Sequence, residues 1–194
     1  MLPQKQWYDS STADPEQVKQ LCREWNTNQY VAEILLRRGY KTREEIKSFL
    51  IPELKNLRDP YELRQMREAV NLLQETIAEN RRIVILGDYD VDGITATALM
   101  LEFLNKCGKL DLDFFIPNRI KHGYGLTEAS TDILLEMKPE LVITVDNGIT
   151  AAKEVQRLND AGIKTIVTDH HLADASLLPA GIVVNPNHPE CNYP

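Results

Sequence analysis

Cysteine is scarce in this chain: Cys22, Cys107 and Cys191 are the only three in 194 residues, an odd number with no C-x-x-C spacing. That scarcity excludes a disulfide framework and a thiolate zinc site, and it fits a reducing compartment. Long apolar runs are missing too. No stretch has enough consecutive apolar residues to span a bilayer, and the opening Met1-Leu2-Pro3-Gln4-Lys5-Gln6-Trp7 has no signal-like apolar core. The expected location is cytoplasmic, with no membrane partner. Positive charge is in deficit, the formal net charge being −7. Phosphate contacts ordinarily come from Lys and Arg, so this balance argues against tight metal-free binding of DNA by the chain alone. Several of the negative charges, however, gather in three short clusters where divalent cations would offset them. Phosphate chemistry at a metal therefore stays open. Internal repeats and low-complexity tracts are absent as well.

What is present suffices for a sizeable core, with 43% hydrophobic and 26% charged residues, enough for one domain plus an appendage. Residues 1–80 read as a helical segment. Asp14-Pro15-Glu16 combines an N-cap residue, a proline at the first helical position and an acid in the first turn, and Val18, Leu21, Cys22 and Trp25 follow at helical spacing. Tyr30, Ile34 and Leu35 form a second stripe before Gly39. Thr42 and Glu45 fit a capping box that opens a short helix through Ile46, Phe49 and Leu50. Leu63, Met66, Val70, Leu73 and Ile77 recur at spacings of three and four, predicting a long amphipathic helix over 61–77. These stripes, with Trp7 and Trp25, are expected to be core.

From Arg82 the period changes. Strand-like runs at 83–86, 112–116, 141–145, 163–167 and 181–184 alternate with helical stretches at 94–106, 128–137 and 151–161. Such alternation predicts an α/β fold over 81–194, a mostly parallel sheet flanked by helices in the Rossmann-like manner. The polar, proline-rich tail from Asn185 reads as a linker or a boundary, and Asn185-Pro186 as a turn.

Three of the strand-like runs end in clusters of carboxylates or imidazoles: Gly87-Asp88-Tyr89-Asp90-Val91-Asp92-Gly93, Asp146-Asn147-Gly148 and Asp169-His170-His171. Open α/β sheets place ligands beyond the carboxyl ends of their strands, so function is expected there. Asp88 and Asp90, two apart on extended backbone, point the same way. Carboxylates about 4 Å apart repel by roughly 4 kcal/mol at an effective dielectric near 20, and such a pair calls for a cation. Oxygen-rich donors suit Mg²⁺ or Mn²⁺. Asp92 reads either as a helix N-cap or as a site residue. A calcium loop is excluded, because the twelfth position of the matching pattern is Leu99 instead of a glutamate. Asp146 is the carboxylate that can bridge two cations. Asp169 can hold an imidazole tautomer while His170 ligates metal, and on extended backbone His171 points away from His170, toward phosphate or a leaving oxygen. Arg119 and His122, in a loop with two glycines, can meet a phosphate.

Gly87 to Thr95, Val145 to Ile149 and Thr168 to His171 resemble motifs one to three of the DHH phosphoesterase family, in family order. Arg119-x-x-His122-Gly123-Tyr124-Gly125-Leu126 resembles the branch of that family that degrades single-stranded DNA from its 5′ end. The resemblance implies a two-cation Mn²⁺ or Mg²⁺ centre held by Asp88, Asp90, Asp146 and His170, with Asp146 as bridge. His171, Asp169 and Asp92 would be its catalytic neighbours, and Arg119 and His122 its contacts to substrate phosphate. Relatives with a histidine four residues before the first motif aspartate would place it at Val84, which cannot ligate; this favours the exonuclease branch over the pyrophosphatase branch. The family's fourth motif, another aspartate, has no match before Pro194. The expectation is therefore a metal-dependent exonuclease domain that lacks one ligand at its C-terminal end.

Overall fold

The computed structural model describes residues 13–193, so Trp7 lies outside the described residues. The chain divides into two compact units, Met1–Arg58 and Asp59–Pro194.

Among the described residues the first unit contains three α-helices, two of them started by the residue the sequence nominates and the other by Asn28. Asp14 accepts a hydrogen bond from the Glu16 amide to open α1 (Pro15–Trp25), and Asn28 accepts from Val31 to open α2 (Gln29–Arg37). Thr42 and Glu45 form the complete capping box of α3 (Arg43–Leu50). Leu21, Ala32, Leu35 and Ile46 make its small core, with Trp25 packed at the margin. Of the predicted stripe on α2, only Leu35 is buried, whereas Tyr30 and Ile34 face outward. Ala32, which contributes no large apolar surface, takes the inward position.

In the second unit the predicted helix over 61–77 is shorter than expected. Pro60–Glu62 is a single 3-10 turn capped by Asp59, and α4 runs only over Met66–Ala78. Gln65 interrupts it in the left-handed region at φ 57°. The reason lies in a strand far along the chain: the Gln65 side chain donates to the Gly181 carbonyl and accepts from the Val183 amide. These are the free backbone groups of an edge strand, whose exposed N–H and C=O positions need covering. Although α4 falls in the segment read as helical appendage, its Ala69 packs in the same core as the sheet.

The sheet comprises β1 (Ile83–Leu86), β2 (Leu112–Phe115), β3 (Leu141–Val145), β4 (Lys164–Thr168) and β5 (Ile182–Val184), all parallel, in the order β2-β1-β3-β4-β5. β1 and β3 are fully buried, as their runs, apolar apart from Thr144, require. Alternate residues serve two cores. Val84, Leu86, Val142 and Val167 meet α6 (Glu128–Met137) and α7 (Ala152–Asp160), while Ile83, Ile85, Ile143 and Ile166 meet α4 and α5 (Val91–Cys107). Right-handed crossovers explain the division, because the chain winds one way from β1 through α5 to β2 and the opposite way from β2 through α6 to β3. The reversal leaves a crevice between the carboxyl ends of β1 and β3, where open α/β sheets receive ligands. No helix among the described residues is long and apolar enough to cross a membrane.

The tail beyond β5 folds back on the sheet. Buried His188 accepts the Glu190 amide on Nδ1, and burial, with Arg64 nearby, pushes its pKa below the ordinary 6.5. A histidine whose pKa is lower folded than unfolded stabilises the fold above 6.5 and loses that contribution as pH falls toward the folded value. Urea titrations are expected to show wild-type stability dropping below pH 6.5 more steeply than that of His188→Asn.

Candidate metal centre

The centre is assembled where β1, β3 and β4 end. Beyond β1, Asp88 is completely inaccessible, and neither carboxylate oxygen has a hydrogen-bond partner among the described residues. Burial, reinforced by the charge of Asp90, raises its pKa above the ordinary carboxylate value; the Tyr89 and Gly125 amides oppose the shift without reaching hydrogen-bond geometry. Asp90 is the N-cap of α5, accepting from the Gly93 amide at 3.0 Å. Asp92 is therefore not the cap. It sits in the first turn of the helix, exposed. Gly93 allows that turn to lie directly on Asp88, since a Cβ there would come within 2.5 Å of the Asp88 nitrogen.

Beyond β3, Asp146 adopts the left-handed conformation at φ 65°, with a side chain only 8% exposed. Its pKa is also raised, first by burial and then by Asp90, with His170 acting in the opposite direction. Oδ1 of Asp146 and Nε2 of His170 are 2.9 Å apart. Asn147 ties the two strand ends together by donating to the carbonyls of Leu86 and Val145.

Asp169 organises the third cluster. Its Oδ2 accepts the Ile149 amide, and its Oδ1 accepts the amides of His170 and His171 and lies 2.7 Å from Nδ1 of His171. The imidazole it orients is thus that of His171, while His170 turns to Asp146. Nor do the rings point apart: β4 ends at Thr168, so the extended backbone needed for alternation is absent, and the ring centroids are 4.6 Å apart. Asp169 holds the pKa of His171 above 6.5. With Nδ1 committed, only Nε2 of His171 is available to a ligand.

Nε2 of His171 lies 3.2 Å from the Tyr124 hydroxyl, which also reaches the Asp146 carbonyl at 3.4 Å. Burial and the surrounding carboxylates push the Tyr124 phenol upward, so it stays protonated. The sequence pattern of the loop around Tyr124 points to phosphate contacts at Arg119 and His122 and to a family branch, but not to this contact. The sole signal for it was an aromatic residue between two glycines. Tyr89 packs edge-on against Tyr124 with centroids 6.0 Å apart, and the Arg119 guanidinium lies 5.5 Å above the Tyr89 ring. Arg119, Tyr89, Tyr124 and His171 accordingly form one continuous row. His122 stands at the base of the same loop, with Nδ1 accepting the Asn118 amide and its ring against Phe115.

The atoms of Asp146, His170 and His171 that can ligate all lie within 4.8 Å of one another. Asp90 adds negative charge nearby, reinforcing the upward shift of both Asp88 and Asp146. Oxygen and imidazole donors around a buried, unpartnered carboxylate fit a hard divalent cation. An apolar groove of about 980 Å³ between α4 and α5, lined by Met66, Leu73, Leu99 and Phe103, opens onto Asp146 and His170. Gly125, at φ 59°, packs on Asn147, where an added Cβ would approach the Asn147 Cβ to 2.8 Å. Gly125→Ala is expected to cost about 1–2 kcal/mol, lowering the melting temperature by roughly 4 °C.

Residues 82–192 match the DHH family, N-terminal domain. The chain belongs to the DHH family. Over 194 residues this DHH chain is 36% identical to the single-stranded-DNA-specific exonuclease RecJ of Bacillus subtilis, covering 100% of itself and 25% of that protein. It is 42% identical over 141 residues to the Haemophilus influenzae protein of the same name, covering 73% of itself and 24% of that relative. Solved structures are similar as well. A crystal structure of exonuclease RecJ bound to manganese superposes with a TM-score of 0.60 at 40% identity, over 66% of this chain and 32% of that one. RecJ from Thermus thermophilus in complex with Mn²⁺ gives 0.65 at 31% identity, over 95% and 25%. The DHH chain spans about a quarter of the length of the curated relatives it matches.

Proposed function

We propose that this chain is the metal-binding catalytic part of an exonuclease that hydrolyses single-stranded DNA from the 5′ end. The observation that carries the reading is the meeting of Asp146, His170 and His171 within ligand distance of one another, beside the buried and unpartnered carboxylate of Asp88. Asp88, Asp90, Asp146 and His170 would hold Mn²⁺ or Mg²⁺, with Asp146 as the shared ligand. Manganese in the two solved relatives supports this choice of cation, and single-stranded DNA is the substrate that the names of the relatives carry. Bound there, a cation pair supplies a water of lowered pKa and a Lewis-acid clamp on the phosphate.

The chain's own residues supply the rest. Asp169 fixes the His171 ring and favours its charged form, so Nε2 can contact a phosphate oxygen or give a proton to the leaving oxygen. Tyr124 holds that nitrogen in place from the other side. Arg119, stacked on Tyr89, presents a guanidinium to the strand's phosphates, and His122 braces the same loop. Asp92 lies at the exposed mouth of the site, where α5 begins.

The test is the complete gene product incubated with Mn²⁺ and 5′-labelled single-stranded DNA. Release of labelled mononucleotide as the first product is the expected result. Turnover confined to short oligonucleotides, cyclic dinucleotides or pyrophosphate would make it another kind of DHH hydrolase. Metal binding without turnover on any of these would make it a binding module.

A further inference from the structure

The tail after β5 contains the arrangement that the site's chemistry has not used. β5 ends at Val184, whose carbonyl accepts the Asp169 amide in the last rung of the ladder. Farther along the neighbouring chain, past the end of the paired register at Thr168 and Val184, the carbonyls of His170 and His171 lie outside the ladder. Side chains take over instead. Asn185 is completely buried, and its Nδ2 donates to the His171 carbonyl at 3.1 Å. Nδ2 of Asn187 donates to the His170 carbonyl. The two asparagines are joined, since Oδ1 of Asn185 accepts the Asn187 amide at 2.6 Å. Pro186 between them fixes one backbone dihedral and restricts Asn185 to extended conformations. The His188 amide, donating to the Asn185 carbonyl, closes the turn.

Peptide carbonyls that leave a ladder in a partly buried place need a new donor, and the donor determines how each peptide plane is turned. The planes of His170 and His171 set the directions of their Cα–Cβ bonds. Those bonds aim the two imidazoles, one at Asp146 and the other between Asp169 and Tyr124. We propose that Asn185, backed by Asn187, is a positioning residue for the histidine pair, extending the β4–β5 ladder with side-chain amides so that both rings converge on the cation. The proposal rests on the metal-centre reading for its consequence, and on backbone geometry alone for its mechanism. Partners that orient metal ligands from behind typically matter by about 10- to 100-fold in metal affinity.

Asn185→Leu removes the buried donor at similar volume, and Asn187→Ala removes the exposed one with little effect on the core. Three quantities are measured on the complete gene product: long-range ¹H–¹⁵N signals of the His170 and His171 rings without added metal, Mn²⁺ affinity by water-proton relaxation, and melting temperature. Both ring signals are expected to move in both variants. Mn²⁺ affinity should fall about tenfold or more in Asn185→Leu, and by a smaller factor in Asn187→Ala. The melting temperature of Asn187→Ala should stay within about 2 °C of wild type. Unmoved ring signals together with unchanged affinity in Asn187→Ala would overturn the proposal, even if Asn185→Leu fails to fold. A wild-type gene product that does not bind Mn²⁺ would remove the metal reading, and the ring signals would then decide the positioning role by themselves.

Discussion

Replacing Asp146 by asparagine is expected to leave the complete gene product folded while lowering Mn²⁺-dependent hydrolysis of single-stranded DNA by at least about a thousandfold, equivalent to roughly 4 kcal/mol of lost transition-state stabilisation. Asparagine is the informative replacement because Asp146 sits at φ 65°. Asparagine tolerates that conformation, whereas alanine would add a backbone penalty of about 1–2 kcal/mol and confuse folding with chemistry. The amide keeps the shape of the side chain and can still meet Nε2 of His170, now 2.9 Å from Oδ1. What disappears is the negative charge that would be shared between cations, and with it the Lewis-acid clamp. Single-turnover hydrolysis at saturating Mn²⁺, with circular dichroism as the folding control, measures this directly. A rate within about tenfold of wild type would remove Asp146 from the centre.

Asp88→Asn should act with opposite signs on stability and on metal binding. The Asp88 carboxylate is completely buried, has no hydrogen-bond partner among the described residues and lies near Asp90. An uncompensated buried charge of this kind costs several kcal/mol. Asparagine removes the charge but leaves polar atoms without partners, so the expected gain is about 2 kcal/mol, or roughly 5 °C in the melting temperature of the metal-free protein. Added Mn²⁺ should raise the melting temperature of the wild type and barely that of the variant, whose affinity should fall about 100-fold. The pH dependence has a defined direction. Because the folded pKa of Asp88 is raised above the ordinary 3.8, the folded state binds the proton more tightly, and metal-free stability falls as pH climbs from 3.8 through the raised value. Above the raised value the penalty is present in full. Asp88→Asn should flatten that part of the profile, and calorimetry from about pH 4 to about pH 8 with a chelator would reveal it. A melting temperature at or below wild type without metal would show that the carboxylate is compensated.

Both predictions concern a carboxylate placed by a short local pattern. An apolar strand followed by alternating aspartates, and another followed by Asp-Asn-Gly, place the two groups at the same rim whenever their strands are neighbours. β1 and β3 are neighbours, in register from Ile83 with Leu141 to Leu86 with Thr144. The intervening strand, β2, pairs on the far side of β1. Recognising the rim thus required only the strand runs and the parallel class they imply.

Other contacts were beyond any local pattern. Three aspartates at alternate positions are all plausible helix caps, and Asp90 was selected because Gly93 lets the helix start lie on the Asp88 backbone. Asp169 takes the His171 ring in place of that of His170 because β4 stops one residue before the cluster. Gln65 breaks the amphipathic period of its helix to satisfy an edge strand 116 residues away in sequence. Asn185 reads as half of a turn until its buried amide meets the carbonyl of His171.

By itself, then, the order of residues determined the helix caps at Asp14 and Thr42, the parallel α/β layering and the three acidic or imidazole-bearing strand ends. Each follows from interactions within a few residues or from the periodic burial of one face. Only the tertiary structure decided which aspartate caps, which imidazole is anchored, and that Tyr124, Asn185 and Asn187 stand behind the centre. The pairings of Tyr124, Asn185 and Asn187 join groups 14 to 47 residues apart, and the energy that selects among them arises when sheet order brings polar groups together with little water.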